Sequence, residues 1–263
     1  MLLSHLQAVE DHLGPRARAL ASNEERRAAF VQTFAEPMFG GELRLRRGAV
    51  VGLAAAPDAI HPVFDLLLCQ WDGPAMVLAD GQPAWLAETV VATVSLCASL
   101  DEAAMAEAVR AAAAAKRLAR RALTGGQGPV PPLRSYLVAF DGPASMQQAH
   151  VWMKLAYRRQ GVDEADLPLT GAERAGVASP GLDGVFVLGR GFLNFDNVEV
   201  GLITDEARAD TFGMCWAVAS HERGALVSLW LQLQQAVTAM AGRRLDPRAC
   251  AEGFSVPALR YAN

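Results

Sequence analysis

The apolar residues of this 263-residue chain change their period several times, and each change marks a structural element. Helical spacing over Leu2 to Leu13 predicts an amphipathic helix, ended by Gly14-Pro15. Ser22 with Glu25 three residues later is a capping box, and it opens a second helix from about Asn23 to Ala35, closed by Pro37 and Gly40-Gly41. The pattern then drops to period two over Leu43 to Leu53, where Leu43 and Leu45 alternate with Arg44 and Arg46, as in a strand. After a turn at Pro57-Asp58, Val63 to Cys69 is a nearly continuous apolar run interrupted by one carboxylate, Asp65. Such a run suits a strand covered on both faces. Asp72-Gly73-Pro74 ends it, and Ala75 to Leu78 reads as a short strand.

A second buried strand, Thr89 to Ala98, feeds a helix that opens at a Ser99/Glu102 capping box and runs from Ala103 to about Leu123. Its end is basic (Lys116, Arg117, Arg120, Arg121), which a helix dipole favours. Thr124 to Pro132 reads as a linker. A strand at Arg134 to Phe140, a helix at Ser145 to Arg159 and a turn-rich excursion at Gly161 to Gly184 come next. Strands at Gly184 to Leu188 and Gly213 to Ala219 are expected to be joined by a hairpin around Asn194 to Ile203. Ser220 would cap a last helix, Arg223 to Ala241, with a stripe of Leu226, Leu229, Trp230, Leu233 and Val237. This order predicts an α/β fold, a mixed central sheet flanked by helices. It also predicts one domain over residues 1–263, with a motif core at 22–123, a linker at 124–133, and sheet completion and a C-terminal helix in 134–263.

The two apolar strands carry the candidate chemistry. Asp65 sits in the first, and Thr89-Val90-Val91-Ala92-Thr93-Val94-Ser95-Leu96-Cys97-Ala98-Ser99 forms the second, with a capped helix after it. This order, from Ser22 to Arg121 and more weakly to Met240, resembles the PD-(D/E)xK, or restriction-endonuclease-like, superfamily, in a small uncharacterised bacterial branch. The resemblance implies an Asp on one strand and a Glu-x-Lys on the next. There the two carboxylates hold a magnesium ion and the lysine polarises the scissile phosphate. In this chain Asp65 is kept, while Ser95 and Cys97 stand where the Glu and Lys would be. Neither replaces a hard anionic ligand or a fixed positive charge. The resemblance therefore implies a vestigial site at Asp65, Ser95 and Cys97, with no metal or other cofactor. The branch is associated with defence islands, which makes an anti-phage setting plausible by analogy.

Composition narrows the partners. The formal net charge of −4 offers no global basic field for nucleic acid. Its four cysteines show no zinc spacing, and Cys69, Cys97 and Cys215 lie in apolar runs. No secretory signal or apolar stretch of membrane-spanning length is visible, so a cytoplasmic protein without a membrane partner is expected. Gly125-Gly126-Gln127 matches the release-factor tripeptide, but it stands in a Pro-rich segment without basic neighbours.

The leading expectation is an inactive nuclease-like protein that serves a bacterial assembly, by that analogy an anti-phage one, as a structural or recognition subunit. Its partner would be another protein or a second copy of itself, with nucleic acid less favoured. Trp71 and Trp85 flank the segment between the motif strands and are expected at an interface. One alternative is a divergent magnesium nuclease using Asp65, Glu25 and Glu88, with Asp65 and Glu25 as metal ligands. Another is a small-ligand sensor occupying the former cleft.

Overall fold

The computed structural model describes residues 1–53, 61–70, 73–118, 120, 123–126, 130–163, 167–168, 170–174, 176–197, 204–210 and 215–245. The first helix, α1 (Leu2–Ala19), runs straight through Gly14 and Pro15, where a stop was expected. Its buried stripe of Leu6, Val9, Leu13 and Ala17 continues on the core side, and that packing outweighs the one hydrogen bond Pro15 cannot donate. Helix α2 (Asn23–Phe30) starts at the Ser22 capping box as expected. It continues through a π-helical turn, Val31–Ala35, into α3 (Glu36–Phe39). In that wider turn the Glu36 N–H bonds back to the Val31 carbonyl, and the helical path carries on past Pro37.

Among the described residues, nine strands build the main sheet. They are β1 (Arg44–Val51), β2 (Val63–Cys69), β3 (Ala75–Val77), β4 (Pro83–Leu86), β5 (Val90–Cys97), β7 (Arg134–Ala139), β8 (Gly184–Val187), β9 (Gly191–Phe195) and β10 (Trp216–Ser220), in the order β10-β9-β8-β7-β5-β2-β1-β4-β3. The remaining strands, β6 (Leu123–Gly125) and β11 (Arg243–Leu245), pair with each other in a separate ribbon. Pairing is parallel at β5/β7, β7/β8 and β1/β4 and antiparallel elsewhere, so the sheet is mixed as expected. Strand β7 lies directly beside β5, so the sheet runs continuously across the segment expected to be a linker. Gly48 lies where the β1/β2 register shifts, with φ 141°, and a Cβ there would meet the Pro83 carbonyl oxygen at 2.2 Å. Only glycine lets β4 come this close.

Helices cover both faces. Residues of α1, α2 and α8 (Ala225–Met240) pack over Leu66, Leu68, Val94, Tyr136 and Val138. Residues of α4 (Glu102–Lys116) and α5 (Met146–Arg159) pack over Leu137, Ala139, Val185 and Val187. The alternation along β7 separates these two cores. Two short helices, α6 (Gly171–Arg174) and α7 (Asp205–Asp210), lie in the excursion. Their arginines, Arg174 and Arg208, both pair with the buried Asp196.

Several start signals differ from expectation. Helix α4 is capped by Asp101, whose side chain accepts from the Ala104 N–H at 2.8 Å, and the helix ends at Lys116 rather than near Leu123. Ser220 ends β10 and does not cap α8. The N-terminus of α8 is held instead by Glu10 of α1, which accepts from the Leu226 N–H at 3.1 Å and the Gly189 N–H at 3.2 Å. The β8/β9 hairpin turns at Leu188 to Arg190, earlier than the connection expected around Asn194. No helix among the described residues is long and apolar enough to cross a membrane.

Candidate functional site at the Asp65 end of the central strands

Strands β2 and β5 are antiparallel neighbours with Leu66 opposite Val94, so one further step of register sets Asp65 opposite Ser95. That is a single strand spacing, about 4.8 Å. Asp65 Oδ2 accepts from the Leu96 main-chain N–H at 2.7 Å. Ser95 and Cys97, two positions apart, share a face of β5, and Cys97 packs against the core beneath α4. The three positions singled out by the sequence therefore come together where the two strands meet.

The electrostatics depart from those of a metal site. Burial pushes the Asp65 carboxyl above its ordinary range, with the Leu96 N–H and the guanidiniums of Arg47 and Arg27 opposing it and Glu24 adding to the rise. Burial likewise pushes the Cys97 thiol up to about 12, with the nearby Asp101 and Asp65 charges adding to the effect. A thiol in that state is neither a cation nor a ready nucleophile. The charges gathered around Asp65 are Glu24, Arg27 and Arg47, with Glu24 bound to Arg27 at 2.5 Å and to Arg47 at 2.8 Å. Fixed guanidinium charge thus lies near Asp65, and the second carboxylate close to it, Glu24, is tied to both arginines. The Glu24/Arg27 pair has the i,i+3 spacing of a surface ion pair, so the sequence held a signal for it. Its convergence with Arg47 and Asp65 depends on how α2 lies against the sheet.

The alternative ligands do not join Asp65. Glu25 is exposed, and its carboxylate accepts from the Ser22 N–H and hydroxyl, both at 3.0 Å, which holds its pKa below the usual range. Glu88 is buried in the turn before β5. It is seven positions from Ser95, or roughly 23 Å along an extended strand. Among the described residues no group of three His, Cys, Asp or Glu side chains could hold a metal ion. A half-buried Asp65 beside a serine and a neutral thiol, with the neighbouring Glu24 carboxylate engaged by two arginines, is a poor match for magnesium, which is usually held by more than one carboxylate when the protein supplies the cage. The residues present do not fit the ion.

Trp85 is 8% exposed, so the ring is not the surface anchor expected of it. Its indole N–H donates to the Arg47 carbonyl at 3.3 Å, and the Arg46 guanidinium sits 5.3 Å from the ring centroid. The ring packs as part of the sheet. Trp71 lies outside the described residues.

One charged centre was missed by sequence reasoning. Asp183, fully buried just before β8, receives Lys116 Nζ at 2.5 Å, Arg134 at 3.0 Å and the Ser135 N–H at 2.7 Å. Lys116 is one of only two lysines in the chain, which is the sole local hint.

Neither a protein-family model nor a curated protein matches this chain. Solved structures do resemble it. NucC of P. aeruginosa ATCC27853 in a cAAA-bound form superposes with a TM-score of 0.64 at 13% identity, over 96% of this chain and 97% of that one. NucC of E. coli MS115-1 in its cAAA-bound form gives a TM-score of 0.64 at 14% identity, over 97% and 98%. Its apo form gives 0.60 at 14% identity, over 97% and 100%. The chain thus has a nuclease-like fold similar to that of NucC across almost its whole length, in agreement with the restriction-endonuclease-like core expected from strand order.

Proposed function

We propose that this chain is a catalytically silent protein of nuclease-like fold that serves a bacterial anti-phage assembly as a structural or recognition subunit. One observation carries the reading: Asp65 keeps its position opposite Ser95, but Ser95 and Cys97 stand on β5 where the second carboxylate and the lysine would be, and the carboxylate that does lie near Asp65, Glu24, is held in ion pairs by Arg27 and Arg47. The guanidiniums offset the Asp65 charge in place of a metal ion, and the Leu96 N–H occupies one carboxylate oxygen. The likeness to NucC supports the defence setting. The partner is another protein or a second copy of the chain, consistent with the net charge of −4. The test is incubation of purified protein with plasmid DNA and with RNA in magnesium and in manganese. No cleavage is expected, and cleavage that Asp65→Ala abolishes overturns the proposal.

A second reading, a small-ligand sensor, is favoured by the cAAA-bound forms of both NucC proteins. A cavity of about 450 Å³ between the end of α8 and β1/β2, with Gln70, Arg243 and Arg244 in its lining, falls in the size range of small-molecule sites. A rise in melting temperature with cAAA and without metal would support it.

A further inference from the structure

A second basic cavity lies near the N-terminal end of β5, away from Asp65. It encloses about 470 Å³, with Lys116, Arg117 and Arg120 on one side and Pro131, Pro132 and Pro180 among its apolar walls. The helix dipole accounts for Lys116 and Arg117, which end α4. It does not account for Arg120, which lies beyond the helix. The Arg120 guanidinium donates to three carbonyls, those of Pro131 at 2.7 Å, Val90 at 2.9 Å and Glu88 at 3.2 Å. Its Nε has no hydrogen-bond partner although it is buried.

Carbonyls orient a guanidinium without neutralising it. No carboxylate among the described residues makes an ion pair with Arg120 or Arg117. Burial lowers Arg120 to about 10, with Glu88 opposing the shift and Arg243 adding to it, so the charge is held at a cost. Lys116 beside it spends its charge on Asp183. Two guanidiniums that no carboxylate pairs with directly, Glu88 acting on Arg120 only through space, line a small-molecule-sized cavity and call for a dianion. Apolar proline walls call for a body attached to it.

We propose that this cavity binds a small phosphomonoester, whose phosphate meets Arg120 and Arg117 and whose body lies against the prolines. A monoester carries close to two charges at neutral pH, whereas a diester carries one and leaves a guanidinium uncompensated. The site is separate from Asp65 and from the cavity at Gln70, so it stands whether or not the chain cuts nucleic acid.

The test is calorimetric titration of the full chain with inorganic phosphate, adenosine 5′-monophosphate and 3′,5′-cyclic adenosine monophosphate. The monoester should bind saturably and at least about tenfold more tightly than the cyclic diester. Arg117→Ala, at an exposed position that the fold does not need, should weaken that binding about tenfold, and Arg120→Gln should do so more severely. Arg244→Ala, at a residue that lines the cavity at Gln70 and not this one, serves as the control. Binding of inorganic phosphate alone would retain the anion site and withdraw the proline-facing body. No saturation by any probe at about 10 mM, or monoester binding undiminished in Arg117→Ala, overturns the proposal. If Arg120→Gln fails to fold, Arg117→Ala carries the test.

Discussion

Asp65 on β2 and Asp183 just before β8 lie three strands apart in the same sheet and two residues apart in level, and their surroundings could hardly differ more. Asp65 is half-buried, level with Ser95 near the C-terminal end of β5, and has one main-chain donor and two guanidiniums shared with Glu24. Asp183 is fully buried, level with Ser135 on β7, which in turn faces Thr93 on β5. It holds Lys116 and Arg134 as well as the Ser135 N–H. A carboxylate that ties an α4 lysine to β7 and to the start of β8 is a structural rivet. Asp65 is weakly partnered, and burial disfavours its charge where it stands. The difference marks Asp183 as part of the frame and sets Asp65 apart from it.

The largest effect should come from breaking the frame. Asp183→Asn leaves Lys116 and Arg134 in a buried site with their shared anion gone, a loss of about 3–5 kcal/mol. That corresponds to a fall of roughly 6–20 °C in melting temperature for a chain of this size. Thermal and urea unfolding followed by circular dichroism would measure it. A loss below about 1 kcal/mol would mean that the contrast between the two carboxylates is only apparent.

The placing of Asp65 was legible in the sequence and that of Asp183 was not, for a physical reason. Two long apolar runs can only be central strands, and with the carboxylate in one of them this was enough to set Asp65 beside Ser95. The capping box at Ser22 was equally local and was found in place. Asp183 and Lys116 are 67 positions apart, so nothing in local spacing pairs them. Glu10 caps α8 from 216 positions away, which is why the nearer Ser220 was the natural but mistaken candidate. Strand β4 escaped notice because it has four residues and begins with Pro83, which reads as a turn. The burial of Trp85 depends on β4 docking against β1, and its ring is no more exposed than its strand.

A smaller effect should appear in the alkaline range. Burial lowers the Lys116 ammonium from 10.5 to about 8, aided by Arg134 and Arg120 and resisted by its ion pair with Asp183. Below pH 8 the lysine is charged in both the folded and unfolded chain, and the cost of burying it is fully felt. As the pH climbs from about 8 to 10.5 the folded chain releases the proton first, so stability rises through that window. Unfolding free energy measured across it should show this upward slope, and Lys116→Met should flatten it while Arg134 continues to serve Asp183. An identical slope in the variant would assign the titration to another group.

The smallest effect is the most pointed, because its sign separates the two carboxylates. Asp65→Asn keeps an acceptor for the Leu96 N–H and removes a charge that burial opposes, so it should raise stability at neutral pH by a few tenths to about 1 kcal/mol. A carboxyl whose folded pKa is raised contributes stability that is present below its ordinary value of 3.8 and lost as the pH rises through the folded value. The advantage of the Asn variant should therefore be full at pH 7 and shrink toward zero as the pH approaches 3.8. Paired denaturation curves at several pH values test this directly. If Asp65→Asn instead destabilises at pH 7 as Asp183→Asn does, Arg27 and Arg47 depend on that charge. Asp65 would then belong to the frame along with Asp183, and its position opposite Ser95 would no longer mark an abandoned active site.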